Sequence, residues 1–358
     1  PVDDSYTSPV MQIVALIIIV VTAWLVVKRY QTHATLFLAG FALLTTAHVA
    51  QLASVGQAEG DSITGLFAFD LFALASEAFS SRVARIGMII MAAGGFAKYM
   101  SAISASTALV DLSIGPLSRI KSPYLLLALT YVAGQILNIF IPSAAGLAML
   151  LLVAMYPTLV KLGIRPAAAA AVIGTTACLD LGPASPASNI AAETVGITPI
   201  EYFVRYQLLV SVVIIPVVAA LHFVWQGWCD RRETVPAEGA AGVLEIESAP
   251  GEKAPLAYAL LPLLPLVLLF VFSPLMVQSI RLDVVTAMLI SLAAGMLCEG
   301  IRRRSLREAL AGIVHFFRGM GDIFSTVVTL IVAAEIFAQG VKATGLIDTL
   351  VAGVEGAG

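Results

Sequence analysis

The sequence predicts an all-α, polytopic membrane protein built from inverted repeats, with a re-entrant hairpin and a broken transmembrane helix. Three observations lead there. Hydrophobic residues make up 59% of the chain and charged residues only 12%, with a mean hydropathy of +0.95; a soluble domain is about 25% charged. Leu179–Asn189, reading Leu-Asp-Leu-Gly-Pro-Ala-Ser-Pro-Ala-Ser-Asn, interrupts a stretch that is otherwise apolar enough to cross a bilayer. The order of elements in the first part of the chain recurs in the last.

Val10–Val27 is the first span, closed by Lys28 and Arg29, and Leu36–Val55 is the second, leading to a loop with Glu59 and Asp61. Ile63–Phe79 is short and amphipathic, with Asp70 and Glu77 on one side, which suits a helix lying in the membrane interface. Ile86–Leu112 is a long span interrupted at Gly94-Gly95 and carrying Lys98. Pro123–Tyr156 is apolar except at its centre, Asn138-Ile-Phe-Ile-Pro-Ser-Ala-Ala-Gly146, and basic residues flank both ends (Arg119 and Lys121, Lys161 and Arg165). Ends on one side of the membrane imply a re-entrant hairpin over 123–156, with limbs of ~14–16 residues reaching ~21–24 Å into a ~30 Å core.

Pro166–Val195 is the broken helix. Pro183 and Pro186 each lack an N–H and disfavour helix in the preceding residue. Gly182 is free to adopt a positive φ. Unpaired backbone survives at membrane depth only inside protein or along a cavity, so such a break marks an ion and substrate site. Tyr202–Trp228 is a further span, ending at Arg231-Arg232. Cys229–Lys253 reads as a flexible linker. Leu256–Val277 and Val284–Leu297 are spans, followed by Arg302–Arg304 and Arg307; Ser305–Phe317 is again short and amphipathic, and Gly319–Val341 is the last span.

With the N-terminus outside, the basic clusters fall inside as the positive-inside rule requires. Arg82 and Arg85 disagree. Phe96-Ala97-Lys98 corresponds to Phe337-Ala338-Gln339 at an offset of 241 residues. The first copy starts outside and the second inside, so the repeats are inverted. The second copy lacks a hairpin and a broken helix, so the chain is expected to be a truncated form lacking roughly 100 residues, counted on the first copy.

The runs Asn138-Ile-Phe-Ile-Pro-Ser-Ala-Ala-Gly and Cys178-Leu-Asp-Leu-Gly-Pro-Ala-Ser-Pro-Ala-Ser-Asn-Ile-Ala-Ala-Glu193 resemble the DcuC family of anaerobic C4-dicarboxylate carriers, in the ion transporter superfamily. The likeness runs through most of Arg85–Arg232 and more loosely beyond. It implies a homodimer with a scaffold domain and a moving transport domain, elevator-type alternating access, succinate, fumarate or malate as substrate, and coupling cations. Ser188-Asn189 matches the superfamily's Ser-Asn type motif, and Asn138 with Ser143 matches it less closely. The expected organisation is residues 1–81 as scaffold with the interfacial helix, 82–228 as transport domain with the closing span, 229–255 as cytoplasmic linker, and 256–358 as an incomplete second repeat. The alternatives are a carrier for another small organic anion or an amino acid, or an anion channel. A multi-pass protein of the bacterial inner membrane follows.

Candidate substrate ligands are Asn138, Ser143, Ser185, Ser188, Asn189 and Lys98. A helix beginning at Ser188-Asn189 would offer free N–H groups and a partial positive charge to a carboxylate; simple N-capping is the competing reading. Candidate cation ligands are Asp180, Thr175, Thr176 and Asn138, with Na⁺ at Asp180 or H⁺ as the coupling ion. The threonines could instead back-bond within their helix. Asp180 could coordinate a cation, carry a proton, pair with Lys98, or hold the loop through backbone N–H groups. Lys98 could meet a substrate carboxylate, stand in for a coupling ion, or snorkel. Glu193 faces the exit path or is a solvated end. His48 and His222 read as packed residues, and the three cysteines as free thiols. Apart from the possible Na⁺, no metal cluster, phosphate loop, catalytic pair or nucleic-acid patch stands out, so an enzyme is not expected.

Overall fold

The computed structural model describes residues 9–55, 64, 66–232, 254–273, 276, 280, 282–347 and 349. Glu59, Asp61 and most of the predicted linker lie outside the described residues. Every regular element among the described residues is helical. In chain order these are α1 (Pro9–Val27), α2 (Thr32–Val55), α3 (Phe67–Arg82), a π-helical segment (Val83–Gly87), α4 (Met88–Ala102) and α5 (Ala105–Ile114). Then come α6 (Pro123–Phe140), α7 (Ala144–Ala154), α8 (Tyr156–Lys161), α9 (Pro166–Gly174), α10 (Pro186–Val195) and α11 (Pro199–Tyr202). A second π segment (Phe203–Gln207) opens α12 (Leu208–Arg232). The last elements are α13 (Leu264–Val271), α14 (Val284–Arg303), α15 (Leu306–Ala311), α16 (Ile313–Ile323), a third π segment (Phe324–Val328) and α17 (Thr329–Ala343). Seven helical runs among the described residues are long and apolar enough to cross a membrane, which makes this a multi-pass membrane protein.

The short helix expected at Ile63–Phe79 is not a separate element but continues through a π segment into α4, and of the one expected at Ser305–Phe317 only Leu306–Ala311 stands as its own short helix, Ile313–Phe317 belonging to α16. Phe69–Ala102 is a helical run of 34 residues and Leu306–Ala343 one of 38. The polar turn Ser80-Ser81-Arg82 reads as a helix end, but a π segment widens the helix there without ending it. Gly94-Gly95 likewise does not interrupt α4. The span ends at Ala102, where Ser104 takes a φ of +61°. Leu256–Leu263 forms a 3₁₀ helix rather than the start of a regular span, because Pro262 and Pro265 withhold N–H groups from an α-helical pattern. The helix–π–helix pattern of Phe67–Ala102 recurs at Ile313–Ala343. Val83 to Phe324, Met88 to Thr329 and Ala102 to Ala343 are each displaced by 241 residues.

The chain divides into two compact units, residues 1–87 with 324–358, and residues 88–323. In the first, α2 and α17 approach to backbone contact. A Cβ on Gly40 would lie 2.7 Å from the Phe337 nitrogen, and one on Gly340 would lie 2.8 Å from Leu43 Cβ. Small residues at such a crossing are how membrane helices gain packing without a hydrophobic driving force. Arg82 Nη2 pairs with Glu335 Oε2 at 2.7 Å, joining α3 to α17. Arg82 therefore neutralises a carboxylate within the fold.

In the second unit α4 packs along α16 at Gly95 and Gly319; a Cβ on Gly319 would lie 2.7 Å from Gly95 Cα. The core around this contact and α6 holds Phe96, Tyr99, Met100, Leu126, Leu127 and Tyr131, all buried. It fixes the ends of α6 and α9, from which the interrupted segments emerge.

Candidate functional site

The first break is Ile141-Pro142-Ser143, between α6 and α7. Pro142 supplies no N–H. Ser143 is extended at φ −139°, and its Oγ accepts from the Gly146 N–H at 3.2 Å, capping α7. The limbs are unequal: α6 has 18 residues, against the ~14–16 expected, and α7 has 11.

The second break separates α9, with 9 residues, from α10, with 10. Each rises ~14–15 Å, about half of a ~30 Å hydrocarbon core. Two residues turn the chain with positive φ, Asp180 at +44° and Gly182 at +109°. Aspartate tolerates that region because its short side chain bonds locally. Here Asp180 Oδ2 accepts from the Ala187 N–H at 3.3 Å, across the break and at the start of α10, where a carboxylate meets the positive end of the helix dipole. Ser185 Oγ accepts from the Ser188 N–H at 3.2 Å and lies 3.0 Å from Ser188 Oγ. Ser188 Oγ donates to Gln207 Oε1 at 2.9 Å, and the Gly182 N–H donates to the same oxygen at 3.3 Å. Asn189 Nδ2 donates to the carbonyls of Pro183 at 2.9 Å and Ser185 at 2.7 Å. Ser185, Ser188 and Asn189 are all buried.

The two breaks meet. A Cβ on Gly182 would lie 3.2 Å from the Ile139 carbonyl oxygen. Pro142 from the first break and Pro183 and Ala184 from the second share a void of ≈ 10 Å³ with Phe96, about one water in size.

Three buried side-chain atoms near these breaks have no hydrogen-bond partner among the described residues: Asn138 Nδ2, Asn189 Oδ1 and Gln135 Oε1. Both Asn189 donors face carbonyls, so its free atom is the oxygen. That oxygen suits a cation or a donor rather than the carboxylate predicted for it, whereas the free Asn138 amide N–H suits a carboxylate. Leaving such a group unpaired costs about 1–3 kcal/mol, so a ligand group that pairs either one is favoured.

The remaining predicted residues have partners. Thr175 and Thr176 Oγ1 donate back to the carbonyls of Val172 at 2.9 Å and Ile173 at 2.7 Å. Thr175 Oγ1 also lies 3.0 Å from His222 Nε2. Lys98 Nζ pairs with Asp322 of α16 and not with Asp180. Gln207 and Gln135 were missed. Gln207 sits in a π segment that reads as ordinary span. Gln135 Nε2 donates to the Thr175 carbonyl at 2.9 Å, tying α6 to the end of α9; its place three residues before Asn138, on the same helix face, was the available signal. No group of three or more metal-ligating side chains converges among the described residues. Cys178, Cys229 and Cys298 are free thiols.

Residues 10–358 match the family of C4-dicarboxylate anaerobic carriers, DcuC. The chain belongs to the DcuC family. A Vibrio cholerae relative is 34% identical over 350 residues, covering 97% of this chain and 74% of the relative. The anaerobic C4-dicarboxylate transporter DcuC of Escherichia coli K12 is 31% identical over 339 residues, covering 95% of this chain and 72% of the relative; that of Shigella flexneri matches to the same extent. No solved structure matches the chain. The DcuC relatives are named transporters, so this is a family of carriers and not of enzymes.

Proposed function

We propose that this chain is a secondary active carrier of C4-dicarboxylates such as succinate, fumarate or malate, driven by a coupled cation or by exchange, in the bacterial inner membrane. The observation that carries the reading is the meeting of the two helix breaks in a DcuC-family chain, with a free donor on Asn138 and a free acceptor on Asn189 beside them. One substrate carboxylate takes the Asn138 N–H and the positive start of α10. The Asn189 oxygen, Asp180 and the carbonyls ending α9 hold a cation, Na⁺ or H⁺, whose charge offsets the anion. The ≈ 10 Å³ void is far too small for a dicarboxylate, so the breaks separate to admit one. Residues buried in this closed arrangement then reach solvent, which is alternating access.

Inverted repeats fit this scheme. The recurrence of the π segment and its following helix at an offset of 241 residues supports them; in this reading 123–156 is the first hairpin and 166–195 the first broken helix. A scaffold carrying a moving transport domain, an elevator motion, a homodimer and an outside N-terminus complete the proposal. Counterflow of labelled succinate in proteoliposomes tests it. A carrier accumulates label against unlabelled succinate trapped inside, with saturation. Flux that neither saturates nor exchanges would indicate an anion channel and contradict the proposal.

A further inference from the structure

A second polar cavity, of ≈ 310 Å³, lies away from the helix breaks within the second unit, at the arginine-rich end of α14. Tyr99, Glu299, Arg303, Glu308 and His315 line it. The other described cavities lack such charged walls. Glu299 is buried and already has donors: Tyr258 Oη at 3.0 Å, Arg302 Nη1 at 3.4 Å and Arg303 Nε. It is neutralised within the fold and asks for no further cation. The Tyr99 ring is wedged between Gly295 and Gly312, with Cε1 3.1 Å and Cε2 3.4 Å from the positions where their Cβ atoms would stand. Its hydroxyl is buried without a partner. A phenol so placed is a donor in need of an acceptor. Arg303 adds positive charge, reinforced in sequence by Arg302, Arg304 and Arg307. Glu308 stands against Arg303 Nη1 at a long 3.4 Å, with its side chain 59% exposed, so it is a weakly held place-holder.

We propose that this cavity binds a phosphate-class oxyanion, which displaces Glu308 from Arg303 and gives the Tyr99 hydroxyl its missing acceptor. Clusters of Lys and Arg mark the ends of spans, which puts the cavity at the level of lipid headgroups. The oxyanion is the phosphate of an anionic lipid or a free phosphate ion, and the test separates the two. Nothing here depends on the transport reading.

The test uses the full chain purified in a neutral detergent. Binding of phosphatidylglycerol is counted by native mass spectrometry, and binding of inorganic phosphate is measured by calorimetry. Tyr99→Phe keeps the ring and removes the donor; it weakens binding about tenfold or more, as expected for a hydrogen bond to a charged group. Glu308→Gln removes the competing carboxylate and strengthens binding. This pattern with phosphatidylglycerol alone identifies a lipid site, and with inorganic phosphate a solute site; either upholds the proposal. Failure of both probes to bind overturns it, as does binding that ignores Tyr99→Phe or that weakens in Glu308→Gln, which would mean that Glu308 helps to hold the ligand instead of competing with it. Melting temperatures of both variants verify that each is folded.

Discussion

At the residue scale, Asp180 holds the second break through both its backbone conformation and its side chain. It adopts a φ of +44° and bonds the Ala187 N–H across the break. Asparagine tolerates that conformation and keeps an oxygen for the same bond. Asp180→Asn is therefore expected to express and fold normally but to change the Na⁺ and pH dependence of succinate counterflow. An unchanged ion profile would restrict Asp180 to holding the loop. Asp283 offers a separate stability test. Burial pushes its carboxyl up, but the hydroxyl and N–H of Thr286 outweigh this and hold it below the usual aspartate range. A lowered folded pKa contributes stability above the unfolded value of about 3.9 and loses it as pH falls through the folded value. Asp283→Ala should cost about 1 kcal/mol at neutral pH through loss of the α14 cap. The difference in melting temperature from the unaltered chain should shrink below about pH 4. Asn138 and Asn189 were legible in the sequence because amides are conspicuous in Pro-broken apolar runs. The aptitude of Asn189 was not, because it depends on which carbonyls its amide meets.

At the element scale, both breaks were legible because proline and glycine act locally and need no tertiary contact to stop a helix. The continuation of the helix predicted at Ile63–Phe79 was not legible, for the opposite reason. Arg82 looks like a terminus until Glu335, 253 positions away, is known to pair with it. Gln207 was hidden because a π segment has no composition of its own. Gly182 tests the junction of the breaks. Its φ of +109° and a prospective Cβ 3.2 Å from the Ile139 oxygen make Gly182→Ala strained twice over, at a cost of about 1–3 kcal/mol. Gly163 also has positive φ, at +87°, but nothing within 4 Å of the added carbon. Gly182→Ala should lower succinate counterflow more than tenfold, while Gly163→Ala should cost mainly melting temperature. Equal transport in the two would remove the contact between the breaks from the mechanism.

At the scale of the molecule, composition alone announced a polytopic membrane protein, and the helical spans bear this out. The offset of 241 residues was visible at Phe96 and Phe337, and the helix–π–helix pattern extends it to whole elements. The architecture brings two interrupted segments together at Gly182 and Ile139, and each segment carries one buried side-chain atom that lacks a partner, Asn138 Nδ2 and Asn189 Oδ1. Equilibrium binding of radiolabelled succinate to the purified chain addresses this most directly, with Asn138→Ala and Asn189→Ala compared against Asp283→Ala, which lies outside the site. Saturable binding that is kept in Asp283→Ala and weakened at least tenfold in both asparagine variants is the expected result; undiminished affinity in Asn138→Ala and Asn189→Ala would contradict it.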